Sequence, residues 1–243
     1  QELTLGKTIV DATSGNTGIA LSMIGAELGF PVKLFLPADT GLERKSIMRS
    51  FGAKLVETDP LSGPDGAYLA ARQSVAADPE RYFYPDQFNN HANAFAHFVG
   101  TGREIWEQTG GQVTHFLASA GTSGTFTGAS KRLKSENPAI RTLLVQPATP
   151  IHGIEGTKHL ETSIKPGILD ESLVDGSISV TTQEAYETTR KLARRSGLYV
   201  GVSSGANVAA AMKLARQSPP GSVIVTILSD SGARYLSYPL WQV

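Results

Sequence analysis

The stretch that most constrains this chain runs from Thr8 to Gly29, TIVDATSGNTGIALSMIGAELG. A short apolar run, Thr8 to Ala12, passes into six small or polar residues, Thr13 to Gly18, and then into an apolar segment long enough for a helix. A strand-to-helix turn of this kind gathers unpaired N–H groups and the positive end of a helix dipole at one point, which suits an anion. Such turns also arise simply because an α/β chain must reverse direction and begin a helix. Repetition separates the two readings. Ser119 to Gly128 (SAGTSGTFTG) and Gly201 to Ala206 (GVSSGA) are turns of the same kind. Each lies between a strand-like and a helix-like run, as a site at the carboxyl edge of a parallel sheet requires.

Taken in order, Pro31 to Leu36 is a buried-type strand, Gly41 to Ser50 an amphipathic helix and Ala53 to Val56 the next strand. A Gly/Pro loop, Ser62 to Gly66, leads into a helix over Ala67 to Ala77, and Arg81 to Tyr84 is a short strand. Pro85 to Asn93 is polar and aperiodic and marks a boundary before a long helix from Ala94 to Gln108. Strands follow at Val113 to Ala118, Arg141 to Val145 and Ser222 to Leu228, with helices at Thr125 to Leu133, Thr182 to Ser196 and Ala206 to Arg216. Gln146 to Asp175 reads as one long irregular segment, the kind that is more often functional than accidental. The alternation predicts an α/β protein of two doubly wound parallel-sheet lobes with right-handed crossovers. The smaller lobe is expected over residues 8–90, and the larger over 1–7 and 91–243. The smaller lobe, which carries Thr13 to Gly18, is expected to be the mobile one and to close on its ligand.

With 22 basic and 22 acidic residues in 243, the chain has no global field to draw nucleic acid or an anionic membrane. No apolar run reaches the ~18 residues of a membrane span, and QELTLGK is not a signal peptide. The absence of cysteine excludes disulfides, thiolate metal sites and a cysteine nucleophile. These features predict a soluble cytoplasmic protein without a nucleic-acid or membrane partner.

No G-x-x-x-x-G-K-[ST] or G-x-G-x-x-G pattern occurs, so the usual nucleotide-binding fingerprints are missing. Gly121-Thr-Ser-Gly-Thr125 nevertheless suits a phosphate, through glycines that allow close backbone approach, a helix start and three hydroxyls. A plain capped turn is the alternative. Gly201-Val-Ser203-Ser-Gly205 matches the nucleophile elbow of serine hydrolases, but those enzymes place their histidine after the serine, and the last histidine here is His159. Nor do His91, His97, His115, His152 and His159 show metal-ligand spacing with carboxylates; no metal is expected.

TSGNTG at 13–18, DQFNN at 86–90, GTSGT at 121–125 and GVSSGA at 201–206 occur in the order and spacing of one family. The chain resembles the cysteine synthase (O-acetylserine sulfhydrylase) and cystathionine β-synthase family of fold type II pyridoxal-phosphate enzymes. The similarity extends through KPGILDESLVD at 165–175 and SGARYLS at 231–237, and HGIEGTKHL at 152–160 is closer to the B-type cysteine synthases. The resemblance implies the tryptophan synthase β-like fold, pyridoxal 5'-phosphate as cofactor and a homodimer. It also implies a transferase or lyase that makes cysteine from an activated serine such as O-acetylserine and a sulfur donor. Cystathionine formation from serine and homocysteine, or a non-catalytic member, are the alternatives.

The same resemblance implies roles for particular residues. Ser14, Asn16 and Thr17 would hold the substrate carboxylate, with Thr13 and Gly15 contributing backbone and Gln87 a second contact. Asn16 would also face the cofactor's phenolic oxygen. Gly121, Thr122, Ser123, Gly124 and Thr125 would cradle its phosphate, and Ser203 would meet its ring nitrogen, with Ser229 and Asp230 nearby. One member of the set is missing. The family's Schiff-base lysine precedes the TSGNTG turn in a serine-rich context that Lys7 lacks. It is expected upstream of Gln1, with the 243 residues a piece of a longer chain.

Overall fold

Thr8–Ala12 forms β1, with four of its five residues buried, the pattern of a strand covered on both faces. The computed structural model describes residues 2–241. β1 is followed by α1 (Asn16–Leu28), β2 (Val32–Pro37), α2 (Leu42–Ser50), β3 (Lys54–Thr58), α3 (Gly63–Ala77) and the two-residue β4 (Tyr82–Phe83). All pairings are parallel, in the order β3-β2-β1-β4, with Ile9 opposite Val32 and Thr8 opposite Tyr82. Ile9, Val32, Leu34, Leu36 and Met48 form the core between this sheet and its helices. The Gly/Pro loop expected at 62–66 is a 3-10 turn (Pro60–Ser62) that runs directly into α3. Pro64 interrupts nothing there, because proline at the head of a helix gives up only an N–H that has no acceptor anyway.

The second sheet begins after two helices, α4 (His91–Val99) and α5 (Thr101–Gln108), where one long helix was expected. The break falls at Gly100, whose φ of −101° and ψ of −91° leave the helical region. A Cβ there would lie 2.9 Å from the Ala96 carbonyl. The next elements are β5 (His115–Ser119), α6 (Gly124–Glu136), β6 (Arg141–Pro147), β7 (Gly176–Val180), α7 (Thr182–Ser196), α8 (Val202–Ala215) and β8 (Ile224–Thr226). This sheet is also wholly parallel, in the order β7-β6-β5-β8, over a core of Phe116, Phe126, Leu133, Ile140 and Leu144. β7 was not anticipated. It lies at the sheet edge, alternates exposed and covered residues, and carries two serines and a glycine, so its apolar signal is weak.

The chain falls into two compact units, residues 2–87 with 234–241, and residues 88–233. Residues 2–7 and 234–241, expected in the larger lobe, therefore belong with the first unit. For the C-terminal residues the cause is Arg44 on α2, whose guanidinium lies 5.3 Å from the Tyr235 ring and 5.5 Å from the Tyr238 ring and donates to the Tyr238 hydroxyl. Glu43 beside it accepts from the main-chain N–H and the hydroxyl of Ser237. A fully buried cation needs such partners, and no earlier periodicity in the sequence announces them.

Candidate active site

In the first unit, the turn 13–18 leaves the carboxyl end of β1, the sheet's second strand from its edge, and enters α1. The Thr13 hydroxyl accepts from Gly18 N–H at 3.0 Å and Gly15 N–H at 3.3 Å, which folds the turn over itself. Gly18 is glycine for a packing reason: a Cβ would sit 2.9 Å from Met48 Cε and from Thr13 Cγ2. No side chain caps α1, so its opening turn presents backbone donors as helix starts do. Ser14, Gly15 and Thr17 are half-buried and Asn16 exposed, so the hydroxyls and the amide line an accessible turn.

Gln87 is brought to the same strand end. Its amide nitrogen donates to the Ala12 carbonyl at 2.6 Å, and its main-chain N–H reaches Asp11 Oδ2 at 3.4 Å. The residue before it, Asp86, takes φ of 49°, the left-handed region that a non-glycine residue enters only under constraint. Asp11 is fully buried, and its other oxygen accepts from Ala12 N–H at 2.7 Å. Burial pushes its carboxyl up to about 7, against the pull of these two N–H donors and with a smaller push from Asp86. A carboxyl whose folded pKa exceeds its unfolded value of about 3.9 stabilises the native state fully below that value. That contribution is lost as pH rises through 7. Between pH 4 and 8 this one group should lower native stability by up to about 4 kcal/mol. Asp11→Asn should remove that part of the slope in urea midpoints measured across the range; parallel slopes in the two proteins would refute the assignment.

In the second unit, the turn 119–124 leaves the end of β5 and enters α6. Ser123 adopts φ of 68°, and Gly121 and Gly124 are held by close approach: their Cβ atoms would lie 2.3 Å from the Gly156 carbonyl oxygen and 1.9 Å from Asn93 Oδ1. α4 braces the turn. Asn93 Nδ2 donates to Thr122 Oγ1 at 3.0 Å, and His97 joins Thr125 Oγ1 at 3.1 Å through Nε2 and Thr101 Oγ1 at 2.9 Å through Nδ1. Burial lowers the pKa of His97. α4 can lie this close because Gly128 faces it, where a Cβ would be 2.0 Å from the Ala94 carbonyl. From the irregular 148–175 segment, the buried Lys158 donates its N–H to the Ala120 carbonyl, and its ammonium lies 5.0 Å from the Phe88 ring.

Ser203, expected in a turn, lies in the first turn of α8 and is 6% exposed. Three bonds anchor that helix to the strand ends: Ser204 Oγ accepts from Ser229 N–H, Asn207 Oδ1 from Ser119 N–H, and Asn207 Nδ2 donates to the Ile227 carbonyl, each at 2.9 Å. Gly201 N–H donates to the Asp230 carbonyl, also at 2.9 Å. Sequence reasoning did not single out Asn93, Asn207, Lys158 or Asp11, and considered His97 only as a metal ligand. Each acts through a partner far along the chain, so spacing alone carried no signal. Among the described residues no group of three or more metal-ligating side chains converges, and no helix is long and apolar enough to cross a membrane.

The half-buried Gly121 and buried Gly124 of the 121–125 turn, the helix start behind them and the hydroxyls of Thr122 and Thr125 form a cradle of backbone and hydroxyl donors. Such a cradle fits a phosphate ester held by main chain and hydroxyls. Comparison with known proteins agrees with that chemistry. The profile of the family described as "Pyridoxal-phosphate dependent enzyme" matches residues 1–230. A curated relative, cysteine synthase of Aquifex aeolicus (strain VF5), is 54% identical over 239 residues, covering 97% of this chain and 73% of the relative. Among solved structures, cysteine synthase from Entamoeba histolytica superposes with a TM-score of 0.90 at 36% identity, covering 99% of this chain and 73% of that one. O-acetylserine dependent cystathionine beta-synthase from Helicobacter pylori does so with 0.91 at 34%, covering 98% and 79%.

Proposed function

Because this chain belongs to the family of pyridoxal-phosphate-dependent enzymes, we propose that it replaces the β-substituent of O-acetyl-L-serine by a sulfur nucleophile to give L-cysteine. The observation that carries this reading is the 121–125 cradle, where two glycines are fixed by neighbours that leave no room for a Cβ. When bound, the cofactor supplies an electron sink that labilises an amino acid at Cα and Cβ.

The chain's own residues divide the remaining work. Gly121 to Thr125 would hold the phosphate by main-chain N–H groups and hydroxyls, with Asn93 and His97 fixing Thr122 and Thr125. Ser14, Asn16 and Thr17, with the backbone of Thr13 and Gly15, would bind the substrate carboxylate at the start of α1, and Asn16 would also contact the cofactor's phenolic oxygen. Gln87 would be the second carboxylate contact. Its amide nitrogen donates to the Ala12 carbonyl, which fixes the side chain at the end of β1 beside the turn. Ser203 would meet the ring nitrogen with a neutral hydroxyl. Unlike a carboxylate, a hydroxyl does not hold a proton on that nitrogen, which keeps the sink moderate and favours loss of a β-substituent over deeper carbanion chemistry. A homodimer is part of the same proposal.

Cystathionine formation is the second reading, favoured by the similarity to the Helicobacter pylori protein. The two are separated by product identity. Protein loaded with pyridoxal phosphate is given O-acetyl-L-serine with sulfide, and in parallel homocysteine with L-serine or with O-acetyl-L-serine. All mixtures are run with and without a small primary amine, because no lysine of this chain matches the family's lysine motif. Cysteine and acetate are expected from the first mixture. Cystathionine from the homocysteine mixtures alone would replace this reading, and retained cofactor with neither product would favour a non-catalytic member.

A further inference from the structure

Asp11 is a fully buried acid two residues before Thr13, and it has no place in the chemistry described above. Its two oxygens are not idle. One accepts from Ala12 N–H at 2.7 Å, and the other faces Gln87 N–H at 3.4 Å, while Gln87 returns its side-chain amide to the Ala12 carbonyl at 2.6 Å. Residues 11, 12 and 87 thus close a small ring of three bonds at the end of β1. That ring holds the Asp86–Gln87 corner, where Asp86 sits at φ of 49°. A non-glycine residue keeps such a conformation only where its surroundings enforce it, and the bond to Asp11 is one such constraint.

We propose that Asp11 is a positioning acid of the carboxylate site: it holds Gln87 through that residue's main-chain N–H, and its charge opposes amino-acid carboxylates bound at the adjoining 13–18 turn. The inference rests on the reading of that turn and Gln87 as the carboxylate site. In its neutral form Asp11 leaves the turn's donors unopposed. In its anionic form it places a like charge beneath them, where little solvent intervenes to screen it. The groups that face it belong to the same unit. Asp86 adds a like charge, and the half-buried Tyr84 is held in its neutral form by burial and by the two aspartates. Arg72 and Tyr68 on α3, which interact with each other, act on Tyr84 in opposite senses, the guanidinium favouring its ionisation and the phenol opposing it. No cation bonds to Asp11 itself among the described residues, so its ionisation is not masked by a salt bridge. Burial raises its carboxyl to about 7, which brings the change of charge close to neutral pH.

The test uses protein with pyridoxal phosphate present and L-serine as probe, titrated between about pH 5.5 and 8.5, a span that brackets the carboxyl. Wild type, Asp11→Asn and Asn16→Ala are compared, and the Gln87 amide resonance is followed in the same samples. The wild type should bind serine about tenfold more weakly at the top of the range than at the bottom, the size expected for one poorly screened charge several ångströms away. Asp11→Asn should show no such fall, and the Gln87 resonance should titrate near neutrality in wild type alone. Identical pH dependence in wild type and Asp11→Asn would overturn the proposal, as would a Gln87 resonance indifferent to pH. If Asp11→Asn did not fold, the wild-type Gln87 resonance would decide by itself. Loss of serine binding in Asn16→Ala would show that the carboxylate site stands even where the role of Asp11 fails. Serine bound normally by Asn16→Ala would overturn both.

Discussion

Gly121→Ala is expected to give a protein that folds but no longer retains pyridoxal phosphate. The added methyl group would lie 2.3 Å from the Gly156 carbonyl oxygen, a backbone atom that no rotamer change can move aside. The turn must therefore shift, and the main-chain donors proposed to hold the phosphate would lose their convergence when displaced by even an ångström. Gly124→Ala meets Asn93 Oδ1 at 1.9 Å and should behave alike, because Asn93 cannot swing away without releasing Thr122. Overpacking of this kind costs about 1–3 kcal/mol of stability, whereas cofactor affinity should fall by about a hundredfold or more, equivalent to some 3 kcal/mol. Cofactor absorbance after dialysis, read beside the urea midpoint, separates the two effects. Retention equal to the wild type's in both variants would remove the 121–125 turn from consideration as the phosphate cradle.

A large loss of stability is expected for Gly205→Ala. Its Cβ would fall 1.9 Å from Thr189 Oγ1, 2.5 Å from the Ala185 carbonyl and 2.9 Å from Thr189 N, at the place where α7 crosses α8. Two of these neighbours are main chain, so no rotamer change relieves the clash. Gly205→Ala should cost about 3 kcal/mol, the upper end for an inserted methyl group. The strain would reach the proposed ring-nitrogen contact, because Ser203 stands two residues earlier on α8 and Ser204 and Asn207 bind the ends of the sheet from the same helix. Thr189→Ala in combination should recover only part of the loss. It removes the hydroxyl at 1.9 Å but leaves the Ala185 carbonyl in place. Full recovery in the double variant would mean that the helices are not as tightly apposed as these distances require. An unchanged midpoint in the single variant would mean the same.

What the sequence determined by itself was the order of elements and the location of the three turns. Strand and helix periodicities are local, and Gly, Ser and Thr mark strand-to-helix turns wherever the backbone must start a helix with free donors. β1, β2, β5 and β6, and the turns at 13–18 and 121–125, were legible for that reason. The resemblance to one family was carried by the same turns, since residues that must approach a ligand closely tolerate few substitutes.

Tertiary structure alone decided the rest. The break at Gly100 was invisible to a helical pattern that continues on both sides of it, and the edge strand β7 was hidden because a strand paired on one side needs little apolar character. The allotment of residues 234–241 to the first unit depends on Arg44, which is buried only because Tyr235 and Tyr238 come from the other end of the chain to cover it. The bracing of the 121–125 turn by Asn93 and His97, of α8 by Asn207, and of Gln87 by Asp11 is likewise a matter of distance in space. An aspartate in a strand or an asparagine in a helix carries no mark of its partner. Burial, which turns Asp11 into an acid with a carboxyl near neutrality and Asn207 into a clamp between two strands, exists only once the sheet has closed over them.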